Sequence, residues 1–149
     1  MTEFVNFWHG LWPDLQKILL TYALMVIIGW DREREAHSAG LRTFPIVGMA
    51  SCGYLLILGP SSDVNAHSRV LQGLITGIGF VGGGAILKDG LNVKGMATAA
   101  SIWNAGVIGA AVAMNRYGIA VMLAAINLFT LRALLPLKSW LDGTKTEPD

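Results

Sequence analysis

Charge is scarce in this sequence. Only 14% of its 149 residues are Asp, Glu, Lys or Arg, and 53% are hydrophobic. An average soluble domain carries roughly 25% charged residues, and a bilayer is the solvent that tolerates so few. The formal net charge of +1 provides no field that points to nucleic acid or to an acidic substrate. One cysteine, Cys52, excludes an intrachain disulfide. It lies within an apolar run and reads as a buried structural thiol rather than a redox centre. No acid falls in the middle of an apolar run, so a proton relay or a carboxylate magnesium site at mid-membrane is not expected. The three histidines, His9, His37 and His67, lie in separate segments, and no triad or metal-ligand spacing is visible. Neither an enzyme nor a cofactor is therefore expected. The N-terminus lacks the basic region of a secretory signal, its first charge being Glu3.

Apolar runs are plentiful instead. Five of them, 15–30, 44–59, 71–87, 96–114 and 119–137, come close to the roughly 17–25 residues that cross a bilayer. The first two are short and would borrow a turn from their flanks or thin the lipid. A soluble bundle needs a polar face on every helix, and the third and fourth runs have none. The expected fold is all-α: an integral membrane bundle of about five transmembrane helices over 14–138. Residues 139–149 read as a short cytoplasmic tail with no room for a soluble domain. Ahead of the bundle, Phe4, Phe7, Trp8, Leu11 and Trp12 recur at helical spacing. They predict a short amphipathic helix over 1–13, lying in the headgroup layer and ended by Pro13. A helix packed on a partner subunit is the alternative.

Basic residues set the orientation. With the N-terminus outside, Arg32, Arg34, Arg42, Lys88, Lys94, Arg132, Lys138 and Lys145 fall inside, and Lys17, Arg69 and Arg116 fall outside. The C-terminus then faces the cytoplasm, and Arg132, near the inner end of the fifth run, snorkels to the surface. Asn115-Arg116-Tyr117-Gly118 reads as a tight outer turn between antiparallel fourth and fifth helices.

Three segments stand out. The first is the charged stretch Asp31-Arg32-Glu33-Arg34-Glu35, followed by His37 to Thr43. Its alternating signs suit a cytoplasmic continuation of the first helix with ion pairs, ended by Gly40. Thr43 would cap the next helix, with Pro45 in its first turn. The segment is either a solvated inner loop or a docking element, with Asp31, Arg32, Glu33, Gly40, Arg42 and Thr43 as its motif. The second is the glycine-rich third run, with Gly73, Gly77, Gly79, Gly82, Gly83 and Gly84. Gly77 to Gly82 matches GxGxxG in form only. A dinucleotide site also needs a strand before it and an acid about 20 residues on, and position 102 is Ile102. Close helix packing through Gly73 and Gly77, and through Gly79 and Gly83, is the better reading. Gln72, Thr76, Phe80 and Gly84 complete this motif. The third is the fourth run, where Ala97, Ser101, Ala105, Gly109 and Ala113 recur every four residues. That small stripe is expected to receive the glycine face of the third run. Thr98, Ser101 and Asn104 form a second, polar line beside Trp103, either bonding between helices or lining a path.

Taken together, Gly29 to Glu33, Ala39-Gly40-Leu41-Arg42-Thr43, Gln72 to Gly84 around Gly77-Ile78-Gly79-Phe80, and Lys94-Gly95-Met96-Ala97-Thr98-Ala99-Ala100 resemble the MgtC/SapB family of bacterial inner-membrane proteins. Where that family usually has Glu-Arg after the first helix, this chain has Asp31-Arg32, and where it has Lys-Pro, this chain has His37-Ser38. The resemblance implies about five spans with the N-terminus outside. It also implies adaptation to low magnesium, to a host or to stress, and a virulence-factor type acting on a membrane partner such as the ATP synthase. The soluble domain that many members carry after the last helix is expected to be absent. The partners that follow are the lipid bilayer, a membrane protein and a second copy in a homo-oligomer. The alternative function is a transporter or channel for a cation or small solute, through Thr76, Thr98, Ser101 and Asn104 or through a vestibule at Asp31 and Glu33.

Overall fold

The computed structural model describes residues 2–34, 39–59, 63–89 and 92–143, with side chains described at 8, 10–34, 39–59, 63–88 and 93–134. Five helices account for almost all of the described chain: α1 (Thr2–Arg34), α2 (Thr43–Leu58), α3 (Val64–Gly84), α4 (Met96–Ala113) and α5 (Tyr117–Gly143). The all-α expectation holds. One small addition is an antiparallel hairpin between α3 and α4, β1 (Leu87–Asp89) and β2 (Asn92–Lys94), in the register Leu87 with Lys94 and Asp89 with Asn92.

By length and composition, three stretches are suited to crossing a membrane: Gly10–Arg34, Met96–Ala113 and Tyr117–Leu134. α2 is apolar but has 16 residues, about 24 Å at 1.5 Å per residue. α3 has 21 residues, yet it is not among the apolar candidates. It starts seven residues before the expected run and so takes in Asn65, His67, Ser68 and Arg69.

Pro13 does not end a separate first helix, because α1 runs through it. Proline removes one backbone hydrogen bond, to the carbonyl four residues earlier. Pro13 is exposed, so that single loss is outweighed by helix-forming sequence on both sides.

α4 is the hub and packs against all four other helices. The face of a helix that meets several others must be apolar and small. Ile102, Ala105, Ile108 and Val112 are accordingly buried on that face, while Ala97, Ala100, Trp103 and Val107 lie exposed on another. Its small residues set the distances. A Cβ at Gly109 would collide with the Gly48 carbonyl of α2, and one at Gly106 with the Ile78 side chain of α3. The expected pairing of the α4 stripe with the glycine face of α3 therefore does not form. Among the α3 glycines only Gly82 sits close to α4, since a Cβ there would lie 3.1 Å from the Ala99 carbonyl oxygen, while a Cβ at Gly73, Gly77, Gly79, Gly83 or Gly84 would have nothing within 4 Å among the described residues.

The connections have clear local causes. Gly95 opens α4 at φ +88°, in the left-handed region, and a side chain there would also strike the Ala85 carbonyl. At the far end of α4, Asn115 takes φ +59°. The Arg116 N–H donates to the Ala111 carbonyl at 2.8 Å, closing the turn into α5. Near the same end, the Lys17 ammonium of α1 donates to the Ala113 carbonyl at 3.3 Å.

Candidate functional site

The charged segment is not a solvated loop where it is described. Asp31 and Arg32 belong to the last turn of α1 and are 5% and 2% exposed. Arg32 Nη2 donates to Asp31 Oδ2 at 2.7 Å. Asp31 Oδ1 accepts from Arg132 Nε of α5 at 2.6 Å. One carboxylate thus joins the end of α1 to α5 across 101 residues of sequence. Arg132, expected only to snorkel, is instead a member of this cluster, although its side chain stays 59% exposed.

Glycines make the corner compact. Glu33 Oε2 accepts from the Leu41 N–H at 2.9 Å. Gly40 lies against Glu33 so closely that a Cβ there would overlap the carboxylate. A Cβ at Gly29 would fall 3.0 Å from the Gly40 carbonyl oxygen. Gly40 is therefore required for space, and it does not sit directly after the helix end at Arg34. Thr43 is not the cap either. It is the first residue of α2, Arg42 occupies the cap position without a side-chain bond, and the Gly40 carbonyl accepts from the Phe44 N–H at 3.2 Å. Pro45 is buried in the first turn, and Arg42 is exposed. Glu35, His37 and Ser38 lie outside the described residues.

A second polar group runs along the contact of α4 with α5. Thr98 and Ser101 are 1% and 3% exposed. Ser101 Oγ donates to Asn127 Oδ1 at 3.0 Å, and Asn104 Nδ2 donates to the Leu123 carbonyl at 3.4 Å. Among the described residues, the buried Asn127 Nδ2 has no hydrogen-bond partner. Trp103 is half-exposed on another face of α4. Two of the three residues of the α4 polar line, Ser101 and Asn104, thus bond to α5. Asn127 escaped the sequence reading, although a lone Asn within an apolar run was a visible signal.

The α3 motif looks away from the bundle. Ile78 and Gly82 are buried, and on the opposite side Gln72, Thr76, Gly79, Phe80 and Gly83 share one exposed face. Phe80 is 86% exposed, and Thr76 Oγ1 donates to the Gln72 carbonyl of its own helix at 3.0 Å. Between α2 and α3 runs a groove of about 600 Å³, lined by Ala50, Ser51, Tyr54, Gly73, Gly77 and Ile78. Between α3 and α4 there is a smaller space of about 150 Å³, bounded by Leu74, Ile78, Trp103, Gly106 and Val107, and it is apolar. Lys94 is exposed beside Gly95, where the hairpin meets α4.

A helical bundle with three helices long and apolar enough to cross a bilayer is that of a membrane protein. The profile of the MgtC family matches residues 18–140, and the chain belongs to that family. Among its relatives is the protein SrpB of Synechococcus elongatus, 32% identical over 89% of this chain and 82% of the relative. The protein MgtC of Salmonella typhimurium is 30% identical over 72% of this chain and 46% of the relative. An uncharacterized protein of Synechocystis is 29% identical over 87% of this chain and 55% of the relative. The chain thus spans about half the length of several curated relatives that it matches. No solved structure matches it.

Proposed function

We propose that this MgtC-family protein is a non-enzymatic adaptation factor of the bacterial inner membrane that acts by contact with another membrane protein. Low magnesium, host or stress conditions are the setting that kinship with proteins named MgtC suggests. The proposed orientation has the N-terminus outside and the C-terminus in the cytoplasm, on the balance of basic residues. The carrying observation is the direction in which the motif residues point. Ser101 and Asn104 bond to α5, whereas Gln72, Thr76, Gly79 and Phe80 share an exposed face of α3. Glycines on an open helix face allow close approach by a foreign helix. A rotary ATP synthase subunit and a second copy are the partners to test first.

A transport role is the second reading. It draws on the buried, unpartnered Asn127 Nδ2 beside Ser101, a donor that a water or a passing solute would satisfy. One pair of measurements separates the two. A photo-crosslinker at Phe80 in cells should capture one defined membrane protein, and purified protein in liposomes should pass no more labelled magnesium than empty vesicles. Saturable flux that falls in Asn127→Ala, with no partner captured at Phe80, would overturn the regulatory reading.

A further inference from the structure

The outward edge of Arg132 is unassigned by anything above. We propose that Arg132 is a docking point for the phosphate of an anionic phospholipid. This rests on the membrane location alone and not on the regulatory reading.

A guanidinium presents two hydrogen-bonding edges. Asp31 Oδ1 engages Arg132 at Nε, 2.6 Å away, and fixes how the group is held. Asp31 is shared, since its other oxygen accepts from Arg32. The next acid of the corner, Glu33, is committed to the Leu41 N–H. The terminal nitrogens of Arg132 have no described partner, and the side chain is 59% exposed. It is therefore a partly neutralised cation aimed out of the bundle.

Its depth suits a headgroup. The Ser101–Asn127 and Asn104–Leu123 bonds set the register of antiparallel α4 and α5. That register places Arg132 level with Met96, the first residue of α4. Arg132 also meets α1 within a turn of that helix's end at Arg34. Trp30, beside Asp31, is 54% exposed, and tryptophan favours the membrane interface. Along α5 the exposed residues Val121, Ala125 and Phe129 form an apolar track that leads to Arg132. An acyl chain fits that track while the phosphate meets the guanidinium. Arginine holds phosphate by two parallel N–H bonds.

The test uses the full chain purified in detergent, with native mass spectrometry counting retained phosphatidylglycerol against phosphatidylcholine. Wild type should favour phosphatidylglycerol. Arg132→Gln should lower that preference about fivefold, the ratio one basic residue supplies at an anionic surface. Arg132→Lys keeps a point charge but not the paired N–H bonds, and should retain a preference between those of wild type and Arg132→Gln, which separates docking from misfolding. Arg34→Gln removes an exposed charge from the end of α1 and should leave the preference unchanged. Equal phosphatidylglycerol retention by wild type and Arg132→Gln overturns the proposal. So does an equal loss in Arg34→Gln, which would make the effect one of net charge. Collapse of the preference in millimolar inorganic phosphate also overturns it, because the ligand would then be the free anion.

Discussion

Asp31 is the residue on which the end of the bundle depends, and its two arms are not equivalent. The Arg32 arm is buried on both sides, with side chains 3% and 6% exposed. The Arg132 arm ends on a guanidinium that is 59% exposed. Breaking a buried pair by removing one partner costs roughly 3–5 kcal/mol, whereas an exposed pair contributes about 0–1 kcal/mol. Asp31→Ala should therefore lower stability by about 3 kcal/mol and Arg132→Ala by about 1 kcal/mol or less. Unfolding of the purified protein by sodium dodecyl sulfate titration would check both values, and equal losses would refute the asymmetry. Gly40→Ala belongs to the same corner. Its new methyl overlaps the Glu33 carboxylate and sits 3.1 Å from the Glu33 Cα, so the loop must shift. A loss of about 1–3 kcal/mol, the usual cost of overpacking, is expected in the same assay. The importance of Asp31, Arg32 and Glu33 was legible from their density of charge. Their burial was not, because Arg132 reaches Asp31 from 101 residues away and no local pattern reports such a contact.

At the scale of the helix, glycine spacing shows which faces are small but not which neighbour uses them. The four-residue recurrence in α4 did mark a close approach, yet the backbone that arrives at Gly109 is that of α2. In α3, one glycine of six is occupied from within the chain, Gly82 against Ala99, and the rest of that glycine run is open. The helix ends were legible where chemistry is local, as at the Asn115 turn. They were misjudged at Thr43, where Arg42 takes the cap position, and at Pro13, where helix-forming flanks outweigh one lost hydrogen bond. The two kinds of glycine should respond oppositely to alanine. Gly109→Ala pushes α2 and α4 apart and should cost about 1–3 kcal/mol. Gly83→Ala meets nothing within 4 Å and gains helix propensity, so stability should rise by up to about 1 kcal/mol. Thermal unfolding in detergent reads both signs, and a destabilised Gly83→Ala protein would mean that this face already packs on something in the preparation.

For the molecule as a whole, the question is what covers α3. The other helices spend their small and polar residues on one another: Gly109 on Gly48, Ser101 on Asn127, Asp31 on Arg132. α3 instead turns Gln72, Thr76, Gly79 and Phe80 outward. Lipid alone is a poor partner for an exposed glutamine amide, because hydrocarbon offers it no hydrogen bond. A foreign helix would satisfy the amide and fill the glycine surface together. Gly79→Leu separates the two surroundings. The added side chain has open space in the isolated bundle and replaces glycine with a better helix former, so the purified protein should be unchanged or stabilised by up to about 1 kcal/mol. In cells, the same side chain would fill the surface on which the proposed partner would sit. The complex captured from Phe80 should then be lost while protein abundance and membrane insertion stay at wild-type levels. Undiminished capture at Phe80 from the Gly79→Leu protein would show that the partner does not use this face. The family-like residues of α3 would then have to be explained by contacts with lipid.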